Sequence, residues 1–248
     1  MKEASTAAVA VAVADGGGPM RQIVATIEQR FATHGATPEG LYWPNGPDLA
    51  VRYGVFHQAI AAAPGVPRTR LLDFGCGVGF LPDWLAAGGY LPAIDYTGLD
   101  ASGKILAEAS RRHPRLRFVE ADVLADGVPP PEGGERYDHV FACGIFTARF
   151  LSSHAAMEAY VRDTLSALWA RTQRCLTFNV MTVHVDYTRE DLFHWPVDTA
   201  LSFCKQHLSR HCAVRADYGL WEYTMHVWRA PNRGAAGAAL PWSHPGVA

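Results

Sequence analysis

The chain has 248 residues, 49% of them hydrophobic, and a formal net charge of −2. That length suits a single larger domain with a full core. The near-neutral balance excludes the extended basic face that binds nucleic acid, so no nucleic-acid partner is expected. The five cysteines (76, 143, 175, 204 and 212) are odd in number and form no C-x-x-C. This pattern points to free thiols in a reducing compartment and to a cytoplasmic protein. No stretch reaches the roughly 20 apolar residues of a membrane span, so no membrane partner is expected either.

Residues 1–20 are rich in Ala and Val and end in glycines, which reads as a flexible N-terminal tail. The spacing of Ile23, Ile27 and Phe31 predicts a helix that stops before Gly35. A loop over 38–47 carries Tyr42 and Trp43, and a second helix is expected over 49–63. These form a helical cap, 21–64, ahead of an α/β domain over 65–230. Residues 231–248, rich in Gly, Ala and Pro, read as a flexible C-terminal tail.

Within the α/β domain, residues 71–80 read Leu-Leu-Asp-Phe-Gly-Cys-Gly-Val-Gly-Phe, an apolar strand entering a glycine turn. A helix follows from Leu81. A second strand, 93–100, ends in Asp100, and Ala101 and Ser102 open the next helix. A third, 116–122, ends in Asp122. A fourth is expected over 138–143 at the sheet centre, then a helix over 157–168 and a fifth strand over 175–180. A helix over 197–207 precedes an antiparallel pair, 211–216 and 221–228, joined through Tyr218-Gly219-Leu220. Strands alternating with helices predict an α/β fold, a Rossmann-like, seven-stranded, mostly parallel sheet.

The glycine turn selects among nucleotides. A dinucleotide turn, G-x-G-x-x-G, would place its third glycine at position 80, where this chain has Phe80. Asp73 would repel a pyrophosphate and attract an ammonium group. S-adenosylmethionine has that polarity: a cationic amino-acid end, a sulfonium and no phosphate. Asp100 stands where such sheets hold a ribose-binding carboxylate, and Asp122 could accept a hydrogen bond from an adenine amino group.

Residues 71–80, 96–102, 118–124 and 137–146 together resemble the four motifs of the class I S-adenosylmethionine-dependent methyltransferases. The resemblance implies that Asp73 and Gly75 hold the methionine amino group and that Cys76 and Gly77 lie under the cofactor. It also implies that Asp100 and Ala101 bind the ribose, Asp122 and Val123 the adenine, and that Cys143 faces the methionine part, with Arg52 joining from the cap. Over roughly residues 25–230 the chain is similar to a bacterial subfamily of surface-polysaccharide and natural-product pathways. That subfamily is related to enzymes that cyclise S-adenosylmethionine to azetidine-2-carboxylate.

Four segments should meet at the strand C-terminal ends: the cap loop, 143–150, 182–195 and the hairpin near Glu222. His184 is the candidate base, because imidazole titrates near neutrality, with Asp186 and Tyr53 beside it. Trp43, Phe146, Thr147, Tyr187 and Trp195 are candidates for the acceptor pocket. His207 with His211, and His184 and Asp186 with His226, have metal-like spacing but lack a full ligand motif, so no metal is expected. The expected reaction is methyl transfer to a small metabolite. Two alternatives stay open: 3-amino-3-carboxypropyl transfer or cyclisation, releasing methylthioadenosine, and a non-catalytic S-adenosylmethionine-binding protein. Such cyclases use an Asn and adjacent Tyr residues where this chain has Thr147, Val183 and His184. A homodimer is also left open.

Overall fold

The computed structural model describes residues 18–61 and 68–232. Most of both tails expected from the sequence, 1–17 and 233–248, therefore lies outside the described residues. The cap consists of α1 (Pro19–His34), a 3-10 turn (Glu39–Leu41) and α2 (Gly46–Ala61). Proline occupies the first turn of α1, where its missing N–H costs nothing, and the helix closes as Gly35 N–H donates to Phe31 O at 2.8 Å.

The sheet domain runs β1 (Thr69–Phe74), α3 (Phe80–Ala87), β2 (Ile94–Asp100), α4 (Gly103–Arg112), β3 (Arg117–Glu120) and β4 (Tyr137–Ala142). It continues with α5 (His154–Ala170), β5 (Thr172–Met181), α6 (Val197–Phe203), β6 (His211–Arg215) and β7 (Glu222–Trp228). Strand order is β3-β2-β1-β4-β5-β7-β6. β1 pairs parallel with β2 and β4, while β7 lies antiparallel between β5 and β6. The order reverses between β1 and β4, which opens a crevice at their C-terminal ends.

Alternation along β1 sorts its side chains. Leu72 and Phe74 face the core built by α5 and β5, whereas Leu71 faces a second core with α2, Tyr96 and Phe141. Asp73 shares the parity of Leu71.

Two elements differ from the sequence reading. The third strand ends at Glu120, so Asp122 stands in the turn beyond it, its Oδ1 accepting from Leu124 N at 3.0 Å. A local side-chain to backbone bond of this kind competes with the strand ladder. The helix expected over 197–207 is α-helical only to Phe203 and then widens into a π turn, Cys204–Leu208, closed by Ser209 N donating to Cys204 O at 2.8 Å.

Helix α1 is tied down over the open end of the sheet. Ser102 Oγ donates to Glu28 at 2.7 Å, Ser152 Oγ donates to Gln22 at 2.8 Å, and Arg30 donates twice to the carbonyl of Glu39.

Candidate active site

At the C-terminal ends of β1, β2 and β4 lies a cavity of about 1000 Å³ including its mouth. Its floor is the glycine turn. Gly75 and Cys76 donate their N–H groups to Leu99 O at 2.7 and 3.1 Å, which sews the turn to β2. Gly75 and Gly77 have φ of 71° and 55°, where a side chain is strained. A Cβ on Gly77 would also stand 2.6 Å from Leu41 Cδ1, and one on Gly75 would run into Ile145.

Asp100 closes one side. Its Oδ2 accepts from Gly77 N and its Oδ1 from Ser102 N, each at 3.0 Å. Burial raises its pKa and these backbone donors oppose the rise. Each oxygen keeps a lone pair for a further donor. Opposite, Gly144 N donates to Asn179 Oδ1 at 2.7 Å, and the Trp43 ring lies so close that a Cβ on Gly144 would strike it.

The structure brings Trp43, Gly75, Gly77, Asp100, Ala101, Asp122, Val123, Cys143 and Thr147 to the cavity wall. Other expected residues stand elsewhere. His184, Asp186 and Tyr187 are exposed outside it, because the segment after β5 leaves the sheet edge toward solvent. Phe146 and Trp195 are fully buried core residues, Phe146 against Phe178 and Tyr160, Trp195 against Phe193 and Phe203. Large aromatics after a strand end satisfy the core first. Tyr53 packs behind the sheet toward Trp84, and burial pushes its hydroxyl pKa up. Cys76 is buried, its sulfur close against Gly98 of β2.

Asp73 also stands off the wall. The three acids expected to converge are two at the wall and one behind it. Strand alternation turns Asp73 away from the face of Phe74, and its Oδ2 accepts from the Tyr96 hydroxyl at 2.7 Å. Burial lifts its pKa to about 7, with the Tyr96 hydrogen bond opposing.

Arg52 sits behind Trp43, its guanidinium 4.9 Å from the ring centre. It donates to both oxygens of Glu222, and its Nη1 is buried without a hydrogen-bond partner. Asn179 links this pair to the cavity, donating to Glu222 Oε1 at 2.9 Å while accepting from Gly144.

Several wall residues went unassigned in the sequence. Met20, Ile23, Val24 and Ile27 of α1 form an apolar roof. Ile23 and Ile27 carried the signal for a buried face, but what the face covered was not readable. Tyr42 and Phe150 meet edge-to-face at 5.1 Å and are the non-glycine positions of positive φ among the described residues. The Tyr42 hydroxyl donates to Asp191 and accepts from Arg189 at 2.9 Å, pinning the 189–191 turn to the cap loop. None of the lining residues is Lys, Arg or His. Among the described residues no group of His, Cys, Asp and Glu could hold a metal ion.

Comparison with known proteins places this geometry. A family model described as a methyltransferase domain matches residues 71–177. Rv1506c of Mycobacterium tuberculosis, an inferred methyltransferase, is 34% identical over 160 residues, 64% of this chain and 92% of its own. The chain belongs to the S-adenosylmethionine-dependent methyltransferases.

A trans-aconitate 2-methyltransferase of Paracidovorax citrulli is 34% identical over 86 residues, spanning 35% of the present methyltransferase and 31% of its own length. Among solved structures, magnesium protoporphyrin IX methyltransferase from Synechocystis with bound S-adenosylhomocysteine aligns at TM-score 0.54 and 14% identity. That alignment covers 85% of this chain and 98% of the other. A Leishmania major S-adenosylmethionine-dependent methyltransferase aligns at 0.57 and 16%, covering 85% of each. These likenesses establish the class I fold. The cofactor of the family is S-adenosylmethionine, and the residues present fit it: a cradle at Gly75 and Gly77 that a Cβ would fill, and the Asp100 carboxylate with spare lone pairs.

Proposed function

We propose that this methyltransferase moves a methyl group from S-adenosylmethionine to a small, uncharged acceptor held under α1. The observation that carries the reading is the wall itself, which is mostly apolar, has carboxylates at Asp100 and Asp122, and offers no cation to an acidic acceptor. A polycarboxylate of the trans-aconitate kind would meet those acids without a counter-charge. The resemblance to that enzyme, spanning 31% of its length, supports shared cofactor chemistry rather than a shared acceptor.

In this reading Asp100 accepts hydrogen bonds from the ribose hydroxyls, its carboxylate aimed by Gly77 and Ser102. Asp122 meets the adenine amino group, with Val123 and Ala101 as walls. Gly75 and Gly77 let the methionine arm lie on the backbone, and Cys143 with Gly144 borders its far side. Arg52, off the wall behind Trp43, acts through Glu222 and Asn179, which hold the backbone of Gly144 beside the methionine arm. Asp73, behind the turn, balances the ammonium group through the buried medium instead of touching it.

Bound S-adenosylmethionine supplies a methyl group on a sulfonium, whose departure as a neutral thioether needs no acid. The protein contributes placement and water exclusion. Alignment of two reactants in one enclosed site supplies up to about 7–11 kcal/mol of such a barrier. No imidazole lines the cavity, so His184 does not serve as base in this arrangement. The acceptor lies against Tyr42, Phe150 and Thr147, inside the roof formed by Ile23 and Ile27.

The test is incubation with methyl-labelled S-adenosylmethionine and a panel of neutral sugars, phenols and amines, with trans-aconitate alongside. Label should pass to a neutral compound with S-adenosylhomocysteine as co-product. Transfer to trans-aconitate, or release of methylthioadenosine, would overturn the assignment.

A further inference from the structure

Two aromatic residues at one end of the cavity adopt strained backbone conformations, and a single residue outside the cavity holds both. Tyr42, in the cap loop, and Phe150, beyond β4, line the cavity with their ring centres 5.1 Å apart and their planes at 67°. Their φ values are 66° and 49°. Bulky side chains rarely occupy that region, and such strain persists only where the surroundings over-determine it. Here the surroundings converge on Asp191, which lies beyond β5 and does not line the cavity.

Asp191 grips one residue through its backbone and the other through its side chain. Its carbonyl accepts from Arg149 N at 2.9 Å and from Phe150 N at 3.0 Å. Its carboxylate accepts from the Tyr42 hydroxyl, 149 positions away in the chain. Half-exposed Arg189 completes the clamp, donating from Nε to Asp191 Oδ1 and from Nη2 to the Tyr42 oxygen, each at 2.9 Å. The turn is anchored in its own right, because Phe193 N donates to Thr147 O at 2.9 Å and Ala148 bridges to Leu192. Burial, with Asp191 beside it, raises the Tyr42 pKa, so the hydroxyl stays a donor. Burial opposes the charge on Asp191, but the hydrogen bonds from Arg189 and Tyr42 hold its pKa below the usual carboxylate range.

We infer that Asp191 is a positioning residue for the acceptor end of the cavity, fixing Tyr42 against Phe150 so that the two rings form a corner for a neutral, flat ring. The inference rests on the reading that the acceptor lies against these two residues. A flat ring can stack on one wall of such a corner and meet the other by its edge. With the Tyr42 hydroxyl already clamped, binding need not first order that side chain. The Asp191 carboxylate is engaged by Tyr42 and Arg189 and stands behind the ring, so it acts through Tyr42 and touches no acceptor.

The test uses the full chain, saturated with S-adenosylhomocysteine and isotope-labelled at tyrosine Cζ, followed by NMR. The Tyr42 signal is assigned by its loss in Tyr42→Phe, and phenol is the neutral probe. Phenol should shift the wild-type Tyr42 signal saturably. Asp191→Ala should move that signal toward the value of free tyrosine and weaken phenol binding at least about fivefold. Its affinity for S-adenosylhomocysteine should stay as in the wild type, which also shows that the variant is folded. Asp191→Asn should restore both the signal and phenol binding, since its amide oxygen still accepts from Tyr42 while Arg189 turns to solvent. An Asp191→Ala protein with the Tyr42 signal in place, or with wild-type phenol binding, would overturn the inference. So would a wild type whose Tyr42 signal ignores phenol. That last result strikes the acceptor placement itself, and it is told apart because Asp191→Ala would still move the signal.

Discussion

Arg52 and Glu222, 170 positions apart, form a buried ion pair in which the guanidinium donates to both carboxylate oxygens at 2.8–3.0 Å. Side-chain exposure is 9% and 1%. The pair joins the cap to the last strand, and through Asn179 it fixes the backbone of Gly144 at the cavity. Burial opposes the Arg52 charge, but Glu222 holds its pKa above the usual value.

Removing one partner should therefore cost more than removing both. Glu222→Ala leaves a buried cation alone and is expected to destabilise by about 3–5 kcal/mol. The Arg52→Met, Glu222→Leu double variant should recover most of that loss in urea unfolding. Both should bind S-adenosylhomocysteine more weakly, since neither keeps the Glu222 carboxylate that holds Asn179 against Gly144. Equal stability for the two would mean the pair is not electrostatically coupled.

Asp100→Ala removes an acceptor that is held by two backbone donors and faces the cavity. Affinity for S-adenosylhomocysteine should fall at least about tenfold, equivalent to roughly 1.4 kcal/mol. Calorimetric titration decides it, and unchanged affinity would take Asp100 out of the binding site.

Gly77→Ala introduces a Cβ at φ 55° and 2.6 Å from Leu41. The strained backbone should cost about 1–2 kcal/mol. Cofactor affinity should fall as well, because the new methyl group intrudes on the cradle. A variant with normal titration by S-adenosylhomocysteine would show that the cradle tolerates bulk.

His184→Ala should leave both stability and label transfer unchanged, since the residue is exposed outside the cavity. A drop in turnover with intact cofactor binding would show that the segment after β5 folds inward during the reaction.

Stability should fall as pH drops from 6.5 toward 4. His139 and His226 are buried under α2, and desolvation lowers each pKa to about 4. With folded values below unfolded ones, protons bind first to the unfolded chain, so the stabilisation present above 6.5 is lost on acidification. Each imidazole accounts for about 3 kcal/mol at full extent. Asp73 acts the other way: its pKa near 7 lies above its unfolded value, so it stabilises the fold progressively as pH falls from 7 to about 4. Two imidazoles outweigh one carboxyl. Thermal melts across this range should show the net loss, which is reduced in His139→Phe.

Asp73 also couples cofactor binding to pH. An ammonium group nearby favours the ionised carboxylate, so S-adenosylhomocysteine should bind more tightly as pH rises through about 7. Proton release on binding, measured in buffers of different ionisation enthalpy, is the direct readout. Asp73→Asn should abolish it.

By itself the sequence determined the sheet, its strand order class and the cofactor. Alternating apolar runs, glycines at 75, 77 and 79, and acids near the C-terminal ends of β1, β2 and β3 (Asp73, Asp100 and Asp122) are local signals, each fixed by backbone geometry over a few residues. Local signals cannot say which way a side chain beyond a strand end will turn. Whether Trp195 and Phe146 fill the core and whether His184 points to solvent depend on competition for buried volume among segments distant in the chain. The Arg52–Glu222 pair and the Tyr42–Phe150 contact arise the same way, from long-range packing. Only the folded chain decided those, because burial is a property of the whole assembly and not of any one segment.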